Sequence, residues 1–229
     1  MFKVILWDVD NTLLDFRLSE SNSLKKAFGD FGLGECPDET VRLYSEINNK
    51  YWEMLERGEI TKEETLSGRF RELFELLSVK GIDPSQFSDY YEKGLTDTVV
   101  FLENGEEIIK ALKGRIKQYA VTNGAYSVQS VKLEKSGIKD IFDGVFISDE
   151  IGYEKPSAEF FNYVLEHIFP CERDEILIVG DSLTSDMKGG NNAKIKCCRY
   201  NPNGSSNDTD LIIDYEIKSL GDVMEIIKE

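Results

Sequence analysis

Apolar and polar positions fall into two textures along this chain. From about residue 16 to 96 apolar residues recur every three or four positions. Leu24, Phe28 and Phe31 form one stripe, Val41, Tyr44, Ile47, Tyr51 and Leu55 a second, and Phe70, Leu73, Phe74 and Leu77 a third. That spacing puts each set on one face of a helix. Breakers at 32–37, Gly58 and 81–84 divide the stretch into about four helices, with no strand expected. Asp38 and Thr61 are the expected N-caps, Thr61 with Glu64 three residues later as a capping box.

Outside this block the pattern changes to short apolar runs separated by amphipathic segments. KVILW (3–7), IKQYAVT (116–122), DGVFIS (143–148), EILIVG (175–180), KIKCCRY (194–200) and LIIDY (211–215) read as strands. Helices are expected between them, one closed by Gly137, one over 157–169, one around TSDMKGGNNA and a last one over LGDVMEIIKE. Strands alternating with helices predict a doubly wound α/β parallel sheet. The first strand has no neighbour close in sequence, so it joins the later sheet. The expected organisation is a core of 1–15 and 97–229, with the helical block 16–96 inserted. Linkers are expected near 15–17 and 94–98.

Composition narrows the function. The 229 residues carry 43 Asp and Glu against 27 Lys and Arg, a formal net charge of −16. Such a surface repels nucleic-acid polymers and anionic membranes, and a small phosphorylated metabolite is the partner it still allows through a local cation. The start, MFKVILWDVD, lacks the long apolar stretch and small-residue cleavage site of a secretory signal. Cys36, Cys171, Cys197 and Cys198 form no CxxC pair and read as reduced thiols of a cytoplasmic protein. His167, the single histidine, lies in a helical pattern and reads as structural. Neither a heptad seam nor a sticky edge is visible, so a monomer or homodimer is expected.

In such sheets the working loops follow the carboxyl ends of the strands. Here those loops bring Asp8 and Asp10, then Thr122 and Asn123, then Ser148 and Lys155, then Asp181 and Asp186. Each alone has an ordinary reading. The paired aspartates could be a turn residue and an N-cap, Lys155 a solvated surface lysine, and Asp181 with Asp186 a cap and a helix-surface acid. Taken together, in this order, they form one converging polar site.

The combination resembles the haloacid dehalogenase-like hydrolase superfamily over essentially the whole chain. DVDNTL is similar to its first motif, VTNG to its second, Lys155 in EKP to its third and GDSLTSD to its fourth. The resemblance implies a Rossmann-like core with an inserted α-helical cap, and a Mg²⁺-dependent phosphatase. Asp8 is then the expected nucleophile and Asp10 the acid and base. Asp8, Asp10 through its backbone carbonyl, and Asp181 are expected to hold the metal, with Asp186 orienting them. Thr122, the amide of Asn123, and Lys155 are expected to hold the phosphoryl group. Asp10 argues against a dehalogenase, which lacks an acid there. A phosphonate hydrolase would need a cap lysine, and Lys25, Lys26, Lys50, Lys62, Lys80 and Lys93 all read as polar helix faces. A sugar phosphomutase or phosphotransferase would use the same residues, and a non-catalytic binding module should have lost one. YWEMLERGEIT, GRFRELFE and GDSLTSDMKGGNNA are similar to the branch that hydrolyses pyrimidine nucleoside 5′-monophosphates. Phe16, Asn49, Trp52 and Arg69 are the candidate contacts for base or sugar, their alternative being packing for the two aromatics and exposed polar surface for Asn49 and Arg69. Lys194 stands where the fourth motif region commonly has glycine, so a changed turn is expected there.

Overall fold

The computed structural model describes residues 1–228. They form two compact units, one of 1–15 with 100–229 and one of 16–99. In the first, six strands run in the order β3-β2-β1-β4-β5-β6, and every neighbouring pair is parallel. They are β1 (Val4–Trp7), β2 (Lys117–Thr122), β3 (Gly144–Ile147), β4 (Ile176–Gly180), β5 (Lys196–Tyr200) and β6 (Tyr215–Ile217). The N-terminal strand is central, between β2 and β4. All four of its residues are buried, which is why it is an unbroken apolar run and not an alternating one.

Successive side chains of each strand serve opposite faces. Val4, Leu6, Tyr119, Val121, Ile176, Ile178 and Cys197 pack with Phe160, Phe161 and Val164 of helix α8 (Ala158–His167). On the opposite face Trp7 donates its indole N–H to Gln118 Oε1 at 3.1 Å. Gln118 in turn donates to the carbonyl of Ile109 in α5 (Gly105–Leu112), tying that helix to the sheet. Helices α6 (Tyr126–Lys135) and α7 (Ser148–Ile151) follow β2 and β3. His167 stacks on Tyr163 within α8, and all four cysteines are free thiols.

The second unit holds α1 (Phe16–Asp30), α2 (Asp38–Glu56), α3 (Lys62–Leu76) and α4 (Pro84–Gly94). The expected stripes supply Tyr44, Phe70 and Phe74 to its aromatic core, and α4 adds Phe87 and Tyr91, both in contact with Phe70. The capping box at Thr61 and Glu64 is present. Asp38 is a correction: it is the first helical residue, Pro37 holds the cap position, and the Asp38 carboxylate pairs with Lys25. The chain leaves and re-enters the first unit on adjacent segments. Leu102 N–H donates to the Leu13 carbonyl, Asp15 N–H to the Val100 carbonyl, and Leu14 bridges Phe101.

Two further expectations are revised. The segment 211–214 is no strand, because side chains satisfy its backbone. Asn191 bonds both the N–H and the carbonyl of Ile212, and Asp214 accepts from Cys197 N–H, so pairing starts only at Tyr215. The helix around TSDMKGGNNA is in two parts, a π-turn at Leu183–Met187 and then α9 (Lys188–Ala193). At the turn after α9 the position commonly held by glycine carries a side chain. Lys194 itself takes the left-handed conformation, φ 56°, and Ile195 N–H closes the helix on the Gly190 carbonyl. Helix α10 (Val223–Ile226) ends the chain's regular structure.

A left-handed conformation is unfavourable for a residue with a Cβ and free of that strain for glycine. Lys194→Gly is expected to stabilise the protein by about 0.5–1 kcal/mol, part of the relief being offset by a more flexible unfolded chain. Urea denaturation checks this, and a lower midpoint would contradict it.

Candidate active site

The first polar loop is set by its own backbone. Asp8 N–H donates to Val179, which keeps the residue in register at the end of β1. Beyond it Asn11, φ 62°, turns the chain so that its N–H meets the Leu14 carbonyl, while Leu13 and Leu14 donate to Val9. Thr12 is thereby aimed back at the strand end. Its hydroxyl donates to Asp8 Oδ2 at 2.9 Å and accepts from Asp181 N–H at 3.1 Å, joining the first and fourth loops.

Lys155 is the centre of the cluster. Its ammonium donates to Asp8 Oδ1 at 2.7 Å, Asp186 Oδ1 at 2.7 Å and the Val121 carbonyl at 3.0 Å, so all three protons are engaged inside the protein. Asn123 fixes the lysine's backbone, accepting from Lys155 N–H and donating to the Lys155 carbonyl. The Asn123 side chain is therefore committed to this clasp. Thr122 Oγ1 accepts from Gly124 N–H, and Ser148 donates to the Asn123 carbonyl.

In the fourth loop the π-turn carries Asp186 inward. Its second oxygen accepts from Ser182 N–H, and Gly180 leaves the room it needs. A Cβ on Gly180 would lie 2.3 Å from Asp186 Oδ2.

Asp8, Asp181 and Asp186 each offer a carboxylate oxygen, all within 4.8 Å of one another. The ammonium of Lys155 forms ion pairs with Asp8 and Asp186. Burial pushes the Asp8 carboxyl up to about 7, helped by the neighbouring charge of Asp186 and opposed by Lys155. Burial likewise raises the Asp181 carboxyl well above its ordinary range, with Asp8 and Asp186 adding to the effect. Crowded, hard oxygen donors with too little positive charge among them suit a small divalent cation. Asp186 is the most enclosed of the three, with one oxygen on Lys155 and the other on the Ser182 N–H, and Asp8 is likewise engaged by Lys155 and Thr12, so a cation would share these oxygens with their present donors.

Two residues not expected from the sequence reach Asp10. Gln129 Nε2 donates to Asp10 Oδ2 at 2.6 Å, and the Lys132 ammonium pairs with Asp10 Oδ1. Both lie on the buried face of α6 beside Val128 and Leu133. The apolar face of α6 is too weakly marked in the sequence to show that these two polar residues point inward.

Phe16, Asn49, Trp52 and Arg69 all belong to the helical unit. Asn49 is exposed, while Phe16 and Trp52 are half-buried. Arg69 is not the exposed polar residue that its alternative reading expected. It is 1% exposed, donates to Asn48 Oδ1 at 2.6 Å, pairs with Glu92 and lies over the rings of Phe70 and Tyr91. Trp52 donates to the same Asn48 oxygen, so Trp52 and Arg69 meet through Asn48.

Buried carboxylates and an ammonium gathered at the carboxyl ends of parallel strands define a polar group-transfer site of the α/β kind. The chain belongs to the haloacid dehalogenase-like hydrolase family, which matches residues 5–200. It is 32% identical to the HAD-hydrolase YfnB of Bacillus subtilis, over 99% of this chain and 95% of that one. The crystal structure of YfnB bound to magnesium superposes with a TM-score of 0.94, covering 100% of this chain and 99% of that chain. The pyrimidine 5′-nucleotidase PynA of Streptococcus pneumoniae is also 32% identical, over 99% and 95% of the two chains. YjjG of Escherichia coli, another pyrimidine 5′-nucleotidase, is 28% identical over 97% and 96%.

A carboxyl raised by folding stabilises the folded state at low pH, and that contribution is lost as pH rises through its folded value. For Asp8 the loss runs from about pH 3.8 to about pH 7. Asp181→Asn removes one of the crowding charges. Without divalent metal, its melting temperature relative to the parent protein is expected to climb between pH 4 and 7. Added Mg²⁺ should stabilise the parent at pH 7.5 and the variant much less. Differential scanning fluorimetry measures both, and a flat difference with pH would contradict the crowding.

Proposed function

We propose that this protein is a Mg²⁺-dependent phosphatase of small phosphate monoesters, with a nucleoside 5′-monophosphate as the foremost substrate. The observation that carries this reading is the Asp8 carboxylate, held between Lys155 and Thr12 with Asp10 two residues on. Full-length similarity to two pyrimidine 5′-nucleotidases supports the nucleotide.

Asp8 attacks phosphorus, and the bond from phosphorus to the ester oxygen breaks. The leaving oxygen takes a proton from Asp10. Water then gives a proton to Asp10 as it attacks the aspartyl-phosphate, the bond to Asp8 breaks, and inorganic phosphate departs. Both carboxyl groups return to their starting forms. Thr122, the backbone amide of Asn123 and Lys155 hold the phosphoryl oxygens, Lys155 by exchanging one of its three protein contacts for a phosphoryl oxygen while its charge offsets the negative charge facing Asp8. Asp8, Asp181 and the backbone carbonyl of Asp10 would hold Mg²⁺, with Asp186 orienting the set through Lys155. The ion supplies charge neutralisation at the phosphoryl oxygens.

The helical unit acts as the cap that selects the ester. Phe16, Asn49 and Trp52 retain surface able to meet a base or sugar. Arg69 works indirectly, holding Trp52 through Asn48. A phosphonate hydrolase is disfavoured, since Lys25, Lys26, Lys50, Lys80 and Lys93 are exposed and Lys62 is half-buried. A Schiff-base lysine needs a desolvated setting to lose its proton. Among the described residues no helix is long and apolar enough to cross a membrane. The free thiols support a reducing, cytoplasmic setting.

Phosphate release with Mg²⁺ should be strongest from nucleoside 5′-monophosphates among a panel that includes sugar phosphates, phosphoglycolate and phosphonoacetaldehyde. Asp8→Asn is expected to lower turnover at least about 10⁴-fold with the fold intact by circular dichroism. Retained turnover would remove Asp8 as nucleophile. Phosphate appearing on a sugar acceptor instead of in water would point to a phosphotransferase.

A further inference from the structure

Helix α6 holds a lysine and a glutamine against Asp10, and packing alone does not account for them. The Lys132 side chain has no exposed surface, although lysine is among the residues least often buried. Its ammonium meets Asp10 Oδ1, while Gln129 reaches the other oxygen at 2.6 Å. The loop from Val9 to Leu14 is already closed by its own backbone bonds, so α6 is not required to fold it.

Gln129 carries a second sign. Its amide nitrogen goes to Asp10, and its Oε1 is left buried with no hydrogen-bond partner among the described residues. A buried carbonyl oxygen without a donor is destabilising. The side chain is thus kept in this pose against local stability. The path to Asp10 runs across Gly124, where a Cβ would fall 2.2 Å from Nε2 and 2.7 Å from Cγ of Gln129. Gly124, Gln129 and Lys132 form one arrangement converging on a single carboxylate.

We propose that Gln129 and Lys132 are positioning residues that hold the Asp10 carboxyl group in place while its acid form gives a proton to the leaving oxygen and its carboxylate form takes one back from water. The inference rests on the phosphatase reading given above. Each carboxyl oxygen accepts one of these contacts and keeps a second lone pair, which can carry the proton exchanged with the leaving oxygen and with water. Two donors fixing two oxygens leave the carboxylate neither translation nor rotation about its Cβ–Cγ bond. Misplacing a catalytic group by about 1 Å can cost about 10²-fold.

The test compares kcat/KM for uridine 5′-monophosphate and p-nitrophenyl phosphate, both with Mg²⁺. The alkoxide of the nucleotide needs a proton as it leaves. p-Nitrophenolate is a stable anion and leaves with little help. Gln129→Leu removes the orphaned oxygen and the bond to Asp10 together, so the two effects offset and its melting temperature should stay near that of the parent. Its kcat/KM for the nucleotide is expected to fall about tenfold, with a much smaller fall for the aryl ester. Gly124→Ala, which pushes Gln129 off its path, should show the same selectivity, and Lys132→Met the largest loss. Equal falls for both substrates, or no fall in a folded Gln129→Leu protein, would overturn the positioning role. Should Lys132→Met fail to fold, Gln129→Leu decides alone. A parent protein that releases phosphate from neither substrate would instead overturn the phosphatase reading, and the inference with it.

Discussion

One buried ammonium sets the terms for everything around it. Lys155 is enclosed at the end of the sheet, with Asp8 and Asp186 both 2.7 Å away. A charge so placed is costly unless its partners are in contact and well oriented, and taking one partner away typically costs about 3–5 kcal/mol. The carboxylates need the lysine as much as it needs them. The two surrounding loops and the strand end are therefore fixed in relation to one group, and a phosphate ester meets a site whose charges are already arranged.

Each neighbouring feature keeps that arrangement rigid by ordinary means. Asn123 grips the backbone of Lys155 on both its N–H and its carbonyl, so the second and third loops move together. Thr12 spans the first and fourth loops with a single hydroxyl. Gly180 admits Asp186, and the π-turn supplies the inward angle. π-Turns of this kind are common at functional positions because they re-aim one side chain without ending the helix that follows.

Much of this was readable before the coordinates. β1 and β4 are unbroken apolar runs and β2 ends in one, and the polar residues that stop them are Asp8, Asp181 and Thr122. That β1 joins the later sheet follows from its lack of a partner close in sequence, and the structure adds that it is central. What stayed hidden depended on which way one polar residue faces. Gln129, Lys132 and Arg69 occupy helix positions where the period alone does not separate an inward polar residue from an outward one. All three are buried because a specific counter-group, Asp10 or Glu92, waits on another element. Asp38 failed as a cap because Lys25, from a different helix, claims its carboxylate. The segment before β6 failed as a strand because side-chain amide and carboxylate groups took the backbone bonds a ladder would have used.

The junction of the two units has a consequence for how such a chain can diversify. Leu13, Leu14 and Asp15 are zipped to 100–102 within the first unit, so the two ends of the helical insert are already joined. The closure entropy of the insert is met by the scaffold, and lengthening a closed loop adds only slowly to that cost. Grafting a different helical segment between Asp15 and Val100, or excising it in favour of a short turn, asks little of the sheet. The helical unit and the sheet that carries the clustered carboxylates can in this way be inherited separately.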